Sequence, residues 1–159
     1  MIWGGLAGML LTAPLVAIFY AGYALAGLSF VPFSIFDWTT RMLPGPVVTF
    51  GIEAMVRIIR GLNLGSTSAT AKAAEQAMAI GGFLVAGIVF GAILFAILHS
   101  RERKLDLPIG LLAGGLAGVA ALLIDRSIGF ATVNPVGDAV WIMALFVAWG
   151  AAFAGLIAA

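Results

Sequence analysis

Apolar residues run along this chain in four long blocks, and the polar residues collect between them. The first block extends from Ile2 to about Leu28 without a charged side chain. At about 1.5 Å per helical residue it would reach ~40 Å, more than the ~30 Å hydrocarbon core of a bilayer. The excess allows tilt, a kink at Pro14, or extension past the interface at Tyr20 and Tyr23. The second block runs from about Ala73 to Leu98, behind a polar stretch, Ser66 to Thr70, that offers N-cap side chains. The third is shorter, Leu107 to Ile124, with Pro108 in the first turn, where a missing N–H costs nothing. The fourth runs from Ala139 to Ala159, with Asp138 placed to cap it and Trp141 placed for an interfacial belt. The pattern predicts an all-α integral membrane protein, a four-transmembrane-helix bundle forming a single membrane domain over residues 1–159.

Between the first two spans, residues 29–71 follow a different rule. Pro32, Pro44 and Pro46 interrupt the segment, and Pro44-Gly45-Pro46 reads as a turn. A helix is predicted over 46–60, with Pro46 in its first position, Arg60 in its last turn and Gly61 as its stop. At about 100° per residue, Thr49, Glu53, Arg57 and Arg60 share one narrow stripe, while Val47, Phe50, Ile52, Ile58 and their neighbours cover the rest. Such a helix suits the plane of a membrane interface; the alternative is a helix packed on the protein with its stripe in water.

Composition narrows the chemistry. The chain is 63% hydrophobic and 9% charged, so it lacks the polar surface of a water-soluble domain. Net charge is +1 and the basic residues are scattered, which excludes a nucleic-acid surface. Cysteine is absent, so thiolate metal sites, iron–sulfur clusters and c-type haem attachment are excluded. His99 is the single histidine and cannot by itself hold a bis-histidine haem. No Lys or Arg precedes Arg41, so the first block lacks the basic start of a signal peptide and reads as a retained span. The short loop carrying Arg101, Arg103 and Lys104 points to the cytoplasmic side, with both termini cytoplasmic, although Arg41, Arg57, Arg60 and Lys72 count against that orientation.

Small residues four apart let helix backbones approach in lipid, where the hydrophobic effect does not drive helices together. They occur as Gly4/Gly8, Gly87/Gly91, Gly110/Gly114, Gly114/Gly118 and Ala151/Gly155, and predict a tight bundle. Acids and bases stand at span ends: Lys72 and Glu75 at the entrance of the second span, Asp125-Arg126 at the exit of the third. They read as interface anchors and local ion pairs, and His99 as a helix-end side chain. No paired carboxylate, nucleophile–base set or phosphate loop is expected, so no catalytic, cofactor-binding or metal residues are assigned.

One segment resembles a known family. Phe30-Val31-Pro32-Phe33, Asp37 with Arg41, Leu43-Pro44-Gly45 and Phe50-Gly51 are similar to the first loop of the N-terminal multi-helix membrane domain of bacterial molybdopterin-dependent, sulfite-oxidase-like oxidoreductases. The opening Gly4-Gly5-Leu6-Ala7-Gly8 and the run from Lys72 through Gly81, Gly87 and Gly91 extend the likeness over roughly residues 1–98. The resemblance implies a non-catalytic anchor in the bacterial cytoplasmic membrane, tethering a C-terminal redox domain and serving electron transport. That domain, with the cysteine thiolate that holds molybdenum in the family, has no counterpart here, and the chain ends while still apolar. The ending reads either as a helix reaching the far interface or as the membrane part of a longer protein.

The expected partners are therefore the lipid bilayer and either protein subunits or a redox domain, with no nucleic acid. A second expectation is a small accessory subunit of a respiratory or photosynthetic complex. A small transporter fits less well, because the spans read as free of charged residues.

Overall fold

In the computed structural model, which describes residues 2–61, 68–100, 107–129 and 134–158, every regular element is a helix. The first apolar block forms α1, Ile2–Ala26, and carries Pro14 within it. It stops where Gly27 takes a positive φ of 63° and its N–H bonds back to the Tyr23 carbonyl, an αL ending that suits glycine because it has no Cβ. A second helix, α2, follows at Val31–Met42, and a third, α3, at Gly45–Gly61. The remaining spans are α4, Ser68–Ser100, α5, Leu107–Ile128, and α6, Pro135–Ala158. Four of these helices, α1 and α4–α6, are long and apolar enough to cross a membrane.

Three features depart from the sequence reading. The segment behind Pro32 is helical: the proline occupies the first turn of α2, where no N–H is required. The expected turn at Pro44-Gly45-Pro46 contracts to Leu43-Pro44. The Pro44 carbonyl accepts from the N–H groups of Val47 and Val48, so Gly45 and Pro46 already belong to α3. The third span also runs four residues beyond the expected Ile124, taking Asp125 and Arg126 into its last turn.

The bundle is built from two close helix pairs. Gly8 meets the Gly87 carbonyl, and Gly4 meets Gly91 and Phe95, so α1 and α4 touch backbone to backbone. A Cβ on Gly4 would lie 2.7 Å from the Gly91 oxygen. The second pair, α5 with α6, is seated on Gly110 and Gly114 against Gly150, while Gly118 faces Met143 and Phe146. Gly155, the residue marked out by its spacing from Ala151, is exposed with open space around it, and Gly150 takes the packing position. Both pairs are antiparallel, since the start of each first helix meets the end of its partner.

Larger side chains join the pairs. Phe146 of α6 packs against Phe19 of α1 at 5.9 Å between ring centroids and against Phe83 of α4 at 6.3 Å. Phe19, Ile142 and Phe153 are fully buried. Meanwhile Trp3, Leu10, Leu112, Leu116, Leu123 and Val140 point outward. Large apolar side chains thus face outward as well as inward, which a lipid solvent permits.

Helix α2 lies across one end of the bundle, against α4 and α5, with Val31, Pro32 and Ser34 buried. Helix α3 makes no more than marginal contact with any other helix, and Val47, Phe50, Ile52 and Ile58 are all exposed. Among the described residues, none covers its apolar side chains Val47, Phe50, Ile52 and Ile58.

Candidate functional site: a buried serine–aspartate node

The αL turn at Gly27 sends the chain back toward the bundle, and the first residue it buries is Ser29. Two residues later α2 begins, and one turn into it Ser34 faces inward as well. From the other side α5 brings Asp125 in its last turn and α6 brings Asp138 one turn after its start. Asp125 is 3% exposed and Asp138 0%.

These four side chains form one network. The Ser29 backbone N–H donates to Asp138 Oδ1 at 2.8 Å, and the Ser29 hydroxyl lies 2.6 Å from Asp138 Oδ2 and 3.1 Å from Asp125 Oδ2. Ser34 Oγ donates to Asp125 Oδ1 at 2.6 Å. A hydroxyl has one hydrogen, so Ser29 can donate to only one of the two carboxyl groups.

No ion pair with either aspartate occurs among the described residues. Arg126, next to Asp125 in sequence, turns outward and donates to the Pro135 carbonyl, closing the α5–α6 turn. The expected local Asp125–Arg126 pair is therefore not formed. Arg41 instead pairs with Asp37 within α2 at 2.7 Å. The node is held by neutral donors, the Ser29 N–H and the hydroxyls of Ser29 and Ser34.

Three expectations are corrected here. Asp138 does not cap α6: Asn134 does, accepting from the Gly137 N–H at 3.0 Å, which frees the aspartate for Ser29. Asp125 and Asp138 stand in the last turn of α5 and the first turn of α6, at span ends as expected, but both are buried rather than anchored at the interface. The two also form a carboxylate pair, bridged by one serine. A hairpin reading shows why: α5 and α6 are antiparallel and close in sequence, so acids near the end of one and the start of the other fall at the same level. That signal was available; the two serines, 91 and 109 residues away from their partners, gave none.

Outside the node lies a cleft of about 330 Å³, bounded by Tyr20, Tyr23, Phe33, Lys72 and Gln76, with Ser29 and Ser34 in its wall. Tyr20 packs edge-on to Phe30 at 6.0 Å, which shapes its aromatic side. Lys72 is exposed at this cleft, and Glu75 is exposed on the same helix.

The other candidate residues lie apart from the node. Thr49, Glu53 and Arg57 are exposed along α3, with Thr49 Oγ1 donating to the Gly45 carbonyl at 3.0 Å. The side chains of Arg60 and His99, and the loop with Arg101, Arg103 and Lys104, lie outside the described residues. Gly4, Gly8, Gly87, Gly91, Gly110, Gly114 and Gly118 line the two helix seams. Comparison with protein-family models, curated proteins and solved structures finds no match to this chain.

Proposed function

We propose that this chain is the membrane-anchor domain of a molybdopterin-dependent oxidoreductase in a bacterial cytoplasmic membrane, tethering a redox domain to the bilayer. The reading rests on the resemblance of residues 30–51, and the observation that carries it structurally is the position of α3. Among the described residues none covers the apolar side chains of the amphipathic α3, and the helix before it, α2, is fixed to the bundle through Ser34 and Asp125. A helix so presented suits the interface of a bilayer, with Glu53 and Arg57 toward water. The antiparallel spans bring residues 2 and 158 to the bundle end opposite α2. A redox domain following the last helix would then stand on the membrane face away from α3.

The test is the intact mass and metal content of the native polypeptide extracted from its membrane. A polypeptide tens of kilodaltons heavier than 16.4 kDa, containing molybdenum, is the expected result. A mass equal to that of this sequence overturns the anchor reading and leaves an accessory subunit of a larger assembly.

A further inference from the structure

The cleft beside the serine–aspartate node has unlike walls. Tyr20 and Tyr23, late in α1, gather with Phe30, their ring centroids 6.0, 6.2 and 6.5 Å apart. Both tyrosines are half exposed, so their rings stay open to an occupant. Helix α4 adds Lys72 and Gln76, one turn apart. Lys72 is exposed and has no ion pair among the described residues. It opens the apolar stretch of α4, and the tyrosines stand near the end of α1, so the cleft lies at the level of lipid headgroups.

Charge divides across this cleft. Among its described lining residues Lys72 alone is charged. Ser29 and Ser34 also line it, and the carboxyl groups of Asp125 and Asp138 stand one hydrogen bond behind them. An anion alone would gain Lys72 and would then face the two acids. A cation alone would suit the rings and the acids and would be repelled by Lys72. A phosphate linked to an ammonium answers both sides. Its phosphate oxygens accept from Lys72 Nζ and the Gln76 side-chain amide, and its ammonium rests against the aromatic rings.

We infer that this cleft binds the headgroup of a zwitterionic phospholipid, with the phosphate on Lys72 and the ammonium against Tyr20, Tyr23 and Phe30. Its volume of about 330 Å³ exceeds the roughly 150 Å³ that holds a benzene ring, so the headgroup fits while the acyl chains stay in the bilayer. The depth of the cleft favours a lipid over a soluble molecule with the same headgroup. The site does not depend on the anchor reading.

The full chain in detergent is titrated with phosphatidylethanolamine, phosphatidylcholine and phosphatidylglycerol of identical acyl chains, and bound lipid is counted by native mass spectrometry. Tyr23→Leu and Lys72→Gln change exposed side chains, so the difference between parent and variant isolates this cleft from other lipid contacts. Tyr23→Leu keeps apolar bulk and removes a ring. It is expected to weaken the two zwitterionic lipids about two- to fivefold and to leave phosphatidylglycerol unchanged. Lys72→Gln is expected to weaken the zwitterionic lipids about fivefold. Soluble phosphoethanolamine and phosphocholine, at the lipid's concentration, are expected not to displace it. The assignment is overturned if Tyr23→Leu leaves the zwitterionic lipids unchanged or weakens all three alike. A Lys72→Gln loss larger for phosphatidylglycerol than for the other two overturns it as well, and displacement by a soluble headgroup overturns the lipid as occupant.

Discussion

Asp138 holds Ser29 by two bonds at once, one from the backbone N–H at 2.8 Å and one from the hydroxyl at 2.6 Å, across 109 residues of sequence. The contact fixes the start of the segment between the first two spans onto the start of the last span. Asp138→Ala would leave the Ser29 backbone N–H buried without an acceptor and its hydroxyl with the longer contact to Asp125 alone. The expected loss is about 1–3 kcal/mol, allowing for the modest net value of such bonds within membranes. Asp138→Asn should lose less, because its amide oxygen still accepts one of the two bonds. Reversible unfolding in mixed micelles checks both, and equal stability of Asp138→Ala and the parent chain would refute the role assigned to this contact.

The hydrogen count at Ser29 gives a sharper expectation for Asp125. Asp125→Asn keeps an acceptor for Ser34 Oγ and offers an N–H toward Ser29 Oγ, whereas Asp125→Ala supplies neither. The amide variant should therefore stay within about 1 kcal/mol of the parent, and the alanine variant should fall below it by more. If both variants are destabilised alike, the role assigned to the Asp125 contacts with Ser29 and Ser34 is wrong.

Glycine positions should divide sharply by location. Gly150→Ala places a methyl group against the backbone of Gly110 and Gly114, and must push α5 from α6. Gly155→Ala meets nothing within 4 Å and should be neutral or gain up to about 1 kcal/mol from helix propensity. The same unfolding titration reads both, and a neutral Gly150→Ala would contradict the backbone contact.

Because the chain has no cysteine, single cysteines for spin labelling need no background removal. Labels at Phe50→Cys and Glu53→Cys report the two faces of α3. In liposomes the first should be accessible to oxygen and shielded from a water-soluble nickel chelate, and the second the reverse. Equal nickel accessibility at both sites would mean that α3 stands in water.

The N-terminus of α6 offers a smaller test. Asn134→Ala removes the acceptor for the Gly137 N–H and should cost about 1 kcal/mol, whereas Asn134→Asp should keep the cap. Circular dichroism through the thermal transition in detergent would distinguish the two.

What the sequence made legible follows from the strength of each signal. Hydropathy over twenty-odd residues is dominated by the solvent, so all four spans and the amphipathic helix could be placed within a few residues of their ends. Helix α2 was hidden because Pro32 reads as a break, although in a first turn it is compatible with helix. The end of α5 was set too early because Asp125 and Arg126 look like residues leaving the membrane. One of them does leave, and the other turns inward to two serines. Contacts between residues about a hundred positions apart have no local pattern to betray them. The same holds for Gly150, which lies next to a more obvious small-residue pair and is the glycine that packs.

The two glycine seams differ in one respect that bears on how the protein is made. Helices α5 and α6 are neighbours in the chain and can enter the bilayer as a ready hairpin. The seam of α1 has its partner in α4, whose Gly87 and Gly91 are translated only after α2 and α3. At about 5–20 residues per second, α1 must wait several seconds in the bilayer with its glycine face open to lipid. Any chaperone or insertase that attends this chain has its opportunity in that interval, and the surface it would meet is the stripe of Gly4, Gly8 and Thr12.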